Sequence, residues 1–410
     1  MLTLSLVNIR VMILDKYNII KGFVVSTCVL LMFLTLSWLG DRVKLLSPWK
    51  QAIESYKISD LYFWAHRTDR KVTYNNSSVI TIDISSCHDR NEIAALLNKI
   101  GSANPAAVAI DVVFPDISSN VDKSYDDSLV NALKRIPNLI VAQEYRTVTA
   151  GEYVLNSSFF IDEVQPHVGA TTLSTGIIRE WTPLLVFNND TVPSFSKVIA
   201  DVAGFPMPSG TKPFYIDYSI HDNIVLRADE QWDPDFLEGQ IVLIGDMADF
   251  RDTHIIPLTL NTSIRYPGVL VHRQILQTAM EGRNIRKVPS WIMFLLTFIF
   301  LWVMYVVKSV FKRRDSNEPH PSQRHKGRFV LYVTAFLQSI KQDAIRLGLM
   351  CALICMGYIL FWTTGLLFEF KLLVAGYILL YVFEDIDNRL NQLKSDVDNT
   401  LEAENIQEIK

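Results

Sequence analysis

Four apolar runs interrupt this 410-residue chain, and their arrangement limits it to few architectures. One run, 19–39, lies near the start. Three others, 291–307, 347–363 and 366–383, lie near the end, and about 250 mostly polar residues separate the two groups. At ~1.5 Å of rise per residue the first run makes a helix of about 30 Å, the thickness of a bilayer's hydrocarbon core. Its only charge is Lys21, and Arg10 and Lys16 precede it. No small-residue cleavage site follows, so the run reads as an uncleaved signal anchor. Composition agrees with a mixed chain: 49% of residues are hydrophobic, yet 20% are charged.

Charge sets the expected orientation. Between Lys308 and Arg346 stand nine Lys/Arg against three acids, which marks this loop as cytoplasmic. Four spans then place residues 1–18 and 384–410 in the cytoplasm and 40–290 outside. Phe329, Val333, Phe336, Ile340 and Leu347 recur at helical spacing within the basic loop. They predict a helix lying on anionic lipid at the inner leaflet. The last run spans fully only with Glu369 and Lys371 at membrane depth. In the acidic tail, Ile386, Leu390, Leu393, Val397 and Leu401 form a stripe. Either it pairs with a partner helix or it is one side of a solvated helix.

The polar segment alternates strand and helix patterns. Strands are expected at Val79–Ile84, Ala106–Phe114, Leu139–Tyr145, His167–Leu173 and Ile241–Ile244. Helices are expected at Asp89–Gly101, Asp126–Ile136, Val192–Gly204 and from Pro267 to a stop at Gly282. Such alternation predicts an α/β domain with a mostly parallel sheet and helices on both faces. Phe214–Ser219 and Asn223–Asp229 read as an antiparallel addition. The four cysteines leave only Cys87 in this segment, so it holds no internal disulfide. A net charge of −4 gives no reason to expect nucleic acid.

Acidic side chains fall at or beyond the predicted strand ends: Asp83, Asp111 with Asp116, and Asp246 with Asp249 and Asp252. In an open parallel sheet these ends line one crevice, where ligands bind. The cluster suits a divalent cation, a cationic or polyhydroxyl ligand, or simple capping of turns. Arg179 is a candidate counter-charge. His272 lies one turn into its helix, as a packed core histidine or as a ligand-binding group. No histidine or cysteine spacing supports zinc, and no Gly-x-Ser-x-Gly elbow supports a nucleophile. No cofactor is expected beyond a cation in the crevice.

In order, these residues resemble the CHASE2 family of bacterial extracytoplasmic sensor domains. The resemblance covers about Ala52 to Gly282. It rests on Asp60 and Arg67 in ISDLYFWAHR, on Ile82-Asp83, on Asp111 and Phe114 in IDVVF, and on Asp126, Asp127 and Leu129. Gly169, Gly176 and Arg179 follow, and then Gly245, Asp252, Pro257, Pro267, Gly268, Val269 and His272. Arg273 departs from the small residue usual after the histidine. Family members typically carry the domain after one span and before about three more. An output module such as a kinase or a nucleotide cyclase normally follows. Here 27 residues follow Phe383, with no kinase or diguanylate-cyclase signature. The resemblance implies a non-catalytic sensor subunit in a bacterial inner membrane. Its expected partners are the bilayer, an unidentified ligand, a second copy of the chain and a separately encoded cytoplasmic effector. The alternatives are a structural or transport-associated subunit and, third, a metal-dependent ectodomain enzyme.

Overall fold

The computed structural model describes residues 16–42, 58–65, 67–69, 71–115, 123–149, 152–173, 176–221, 224–259, 265–283, 285–317, 328–368, 372–383, 385, 386, 389 and 393. The chain divides into a unit of Ser59–Arg286 and a unit of Met1–Ile58 with Lys287–Lys410.

Helix α1 (Ile58–Ala65) leads into the first unit, whose sheet strands are β1 (Val79–Asp83), β2 (Ala107–Ile110), β3 (Leu139–Thr149), β4 (Glu152–Asn156), β5 (His167–Ala170), β6 (Val225–Arg227) and β7 (Ile241–Gly245). They form one seven-stranded sheet in the order β6-β1-β7-β2-β3, with β5 and β4 both on the outer side of β3. Only β4 runs antiparallel, as a hairpin with the long end of β3. The last strand in sequence, β7, sits between the first two. Its residues are buried throughout and alternate between faces. Val242 and Ile244 join one core, and Ile241 and Leu243 join the other. Burial on both sides explains the uninterrupted apolar run.

Helices α2 (Arg90–Ser102) and α3 (Lys123–Leu133) cover the first face, and α4 (Phe195–Ala203) and α5 (Gly268–Glu281) the second. Asp89 caps α2 by accepting from the backbone of Asn91 and Glu92, both at 2.9 Å. Arg90 ties the pair together through an ion pair with Asp126 of α3. The expected antiparallel addition is corrected in part. Val225–Arg227 pairs parallel with β1, whereas Phe214–Tyr215 pairs antiparallel with Glu180–Trp181. The open edge beside β1 accepts a strand in either direction, and Val225–Arg227 takes it in parallel.

Helix α5 is buried on almost every side, polar positions included. Asp217, fully buried, organises its C-terminal half. Gln274 Nε2 donates to the Asp217 carbonyl at 2.6 Å, and Thr278 Oγ1 accepts from the Asp217 N–H at 3.0 Å. The Asp217 carboxylate takes Arg283 at 2.7 Å, just past the helix end. Arg273 lies 4% exposed with its guanidinium 3.5 Å from the Ile224 carbonyl and its Nε unpaired.

In the second unit, helices run over Lys16–Arg42, Ser290–Asn317, Arg328–Thr364 and Leu372–Phe383. Two of them, through Ser290–Val307 and Leu347–Thr364, are long and apolar enough to cross a membrane; the apolar parts at Ile19–Thr35 and Leu372–Phe383 are shorter. Gly22 lets Trp302 and Tyr305 approach the first helix, and Trp302 Nε1 donates to the Ile19 carbonyl at 3.1 Å. Val29, Leu301, Met304 and Leu380 close a core among three of the helices. The helix expected over 329–347 is present but does not end there: Arg328–Thr364 is one continuous helix of 37 residues. No glycine or proline stands between Arg328 and Leu347 to break it. Leu393 of the tail stripe is helical and 61% exposed, while Leu390, Val397, Leu401, Glu369 and Lys371 lie outside the described residues.

Candidate functional site

The chain leaving β2 turns towards α3 on one face, and the chain leaving the adjacent β7 turns towards α5 on the other. Loops that part in this way leave a crevice at the carboxyl ends of the strands, the usual ligand position in such sheets. Here a cleft of about 540 Å³ opens there. Its base is Asp111–Val113, one wall is the Asp246–His254 loop, and another is Thr171–Leu173 after β5. The β3–β4 hairpin supplies the remaining wall through Glu144, Arg146 and Asn156. Glu144 faces Asn156 across the ladder, and Arg146 lies two residues further along the strand.

Five carboxylates and two guanidinium groups line the cleft. Both arginines are already occupied. Arg146 donates to Glu144 at 2.8 Å, and Arg251 holds Asp249 with two bonds of 3.0 and 2.9 Å. Hydrogen bonding from Arg251 lowers the Asp249 pKa, even though partial burial opposes it. Asp246 accepts from the Ala248 N–H at 2.9 Å in a local turn. Asp111 stands at the base, its Oδ2 sealed from solvent without a hydrogen-bond partner. Burial, with the Asp252 charge adding to it, pushes this carboxyl well above the usual range.

Asp252 joins the cleft to α5. One carboxylate oxygen lies 3.2 Å from His254 Nε2, and the group rests directly on Gly268, the first residue of α5. A Cβ at position 268 would stand 2.5 Å from Asp252 Oδ2, so a side chain there would push the carboxylate off the helix start. An acid at this end also complements the helix dipole. A second close approach fixes the same helix to the central strand. A Cβ on Gly245 would lie 2.7 Å from the Val269 Cβ. The Gly245, Asp252, Gly268 and Val269 combination is therefore a packing motif in which strand end, loop acid and helix start meet.

Among the sequence-predicted residues, Asp111, Asp246, Asp249 and Asp252 come together in the cleft. Asp83 does not line it. Its carboxylate accepts from the Ser85 and Met247 N–H groups at 3.0 and 3.1 Å, tying the β1 and β7 turns together. Arg179 is elsewhere too: 7% exposed, it forms a two-bond pair of 2.9 and 2.6 Å with Asp60 of α1. An Asp amid the apolar ISDLYFWA helix was the available signal for that partner. His272 sits behind the cleft wall, 2% exposed, between Ser196 at 2.9 Å and the Thr171 carbonyl. Burial lowers its pKa to about 4, so it is a neutral core histidine linking α5 to α4 and β5. Asp116 lies outside the described residues. Glu144, Arg146, Asn156, Thr172, Arg251 and His254 were not anticipated; only the alternating polar positions of β3 beyond Ala142 hinted at a solvent-facing wall.

Among the described residues no group of three His, Cys, Asp or Glu side chains is placed to hold a metal ion. What the geometry defines is an α/β domain with a polar cleft at a strand-order switch, one acid of its lining seated on the start of a buried helix. Comparison with family models matches the CHASE2 domain to residues 27–307, and the chain belongs to that family. CHASE2 is an extracytoplasmic sensor domain. No curated protein and no solved structure matches the chain.

Proposed function

We propose that the chain is a non-catalytic, membrane-anchored sensor subunit whose cleft receives a polar ligand and whose α5 carries the change towards the membrane. Asp252 is the observation that supports this most directly. It faces the ligand space and fills the room above the first residue of α5. A ligand that draws on its charge or moves it alters the seating of a helix held along its length by buried polar contacts. In sequence, α5 leads through Arg283 into the Ser290–Asn317 helix. A sensor needs two states that differ in ligand affinity, and a helix start seated by one carboxylate offers such a pair.

On this reading four spans anchor the chain in a bacterial inner membrane, with both termini in the cytoplasm and residues 40–290 outside. The nine Lys/Arg between 308 and 346 support the orientation. The cytoplasmic segments would engage a separate effector. Asp252→Asn in the full chain in nanodiscs mimics neutralisation by a ligand. Hydrogen exchange should rise across 268–289 while β1, β2 and β7 stay protected. Unchanged protection across 268–289 would remove the relay. Reporter fusions at Lys197 and Arg313 should report opposite compartments; the same compartment for both would overturn the topology.

A further inference from the structure

We infer that the cleft at the β2/β7 switch is built for a small aliphatic di- or triamine. This rests on the reading of the cleft as the sensor's ligand site and adds the class of ligand. Both guanidinium groups are spent on wall carboxylates, Arg146 on Glu144 and Arg251 on Asp249. Among the described residues Asp246 and Asp252 form no ion pair with a Lys or Arg; Arg251, bonded to Asp249, only adds its field at Asp246, and His254 lies beside Asp252, while Asp111 at the base is held as a neutral carboxyl. The unmet demand is therefore for donors carrying positive charge.

Two further observations narrow the class. Asp111 keeps one carboxyl oxygen buried and unpaired at the cleft base, a cost folding tolerates only where something else requires the group. The space is about 540 Å³, within the range of small organic ligands, and among the described residues no three ligating groups converge on a bare ion. Amine N–H groups spaced along a chain can meet Asp246 and Asp252, which line the same cleft from the 246–254 wall.

The test uses the full chain in nanodiscs of neutral lipid, so that anionic headgroups do not compete. Calorimetric titration is run with spermidine, with triethylene glycol as neutral probe, with citrate as anion, and with Mg²⁺ and Ca²⁺ alone. Spermidine should bind saturably and weaken as salt rises. Asp246→Asn keeps the turn to Ala248, because an Asn side chain accepts the same bond, and should weaken spermidine about tenfold. Asp252→Asn should do the same. Spermidine binding insensitive to both substitutions would assign it to the acidic 384–410 tail and overturn the proposal. Tighter binding of the glycol, citrate or either metal alone would also overturn it, while leaving the cleft as a site. Asp246-dependent spermidine binding that leaves exchange across 268–289 untouched would keep the ligand class and sink the relay.

Discussion

Burial of His272 makes the stability of the extracytoplasmic domain depend on pH in a calculable way. The ring is neutral in the folded protein, with its pKa lowered from 6.5 to about 4, chiefly by burial. An unfolded chain therefore binds the proton first as pH falls. The stability this contributes is complete above pH 6.5, shrinks below it and is gone as pH passes the folded value near 4. At ~1.4 kcal/mol per pH unit, about 2 kcal/mol is lost between pH 6.5 and 5, and about 3 kcal/mol by pH 4. Asp111 acts with the opposite sign: its raised carboxyl pKa favours the folded state at low pH and ceases to do so as pH rises. Comparing wild type with His272→Gln cancels that contribution. The assay is urea unfolding of the full chain in mild detergent, followed by tryptophan fluorescence at several pH values from 7.5 to 4.5. His272→Gln should be less stable at pH 7.5, through the lost contacts to Ser196 and Thr171. The gap between the two proteins should close on acidification, by roughly 2 kcal/mol at pH 5. Parallel curves would show that the ring is not held neutral, and the argument would fail.

Three other outcomes follow from the same geometry. Gly268→Ala should cost only about 1 kcal/mol or less in thermal unfolding, since the new methyl displaces the half-exposed Asp252 carboxylate, and Asp252→Ala alongside it should remove that cost. Asp60→Ala removes the two-bond carboxylate partner of the buried Arg179 guanidinium and should cost about 3–5 kcal/mol; Asp60→Leu with Arg179→Met should be far milder, because both halves of the buried ion pair are removed together. Asp111→Asn should melt higher than wild type at pH 8, with the difference fading as pH falls and gone only near about pH 3, where the carboxyl is protonated in the folded and the unfolded protein alike.

Periodicity and glycine placement carried the architecture in the sequence. The alternation of apolar strands with capped helices specified parallel pairing, because a run buried on both faces, such as Ile241–Ile244, has no polar side to show. The apolar runs specified membrane-length helices at Ser290–Val307 and Leu347–Thr364, since a window of 18 residues suffices to read hydropathy. Acid positions after strand ends pointed to the crevice, because strand direction alone decides where those ends gather.

Side-chain pairing was decided only by the tertiary structure, for it depends on residues far apart in the chain. Nothing local tells Arg179 that Asp60 lies 2.6 Å away, or turns Asp83 to the Met247 backbone and out of the cleft. The insertion of β7 between β1 and β2 is likewise a three-dimensional choice, and it creates the switch where the cleft opens. The glycines of the β7–α5 region were visible as letters, but their reason was not. Gly245 and Gly268 are small because Val269 and Asp252 occupy the space a Cβ would need, a fact of packing that a linear pattern cannot express.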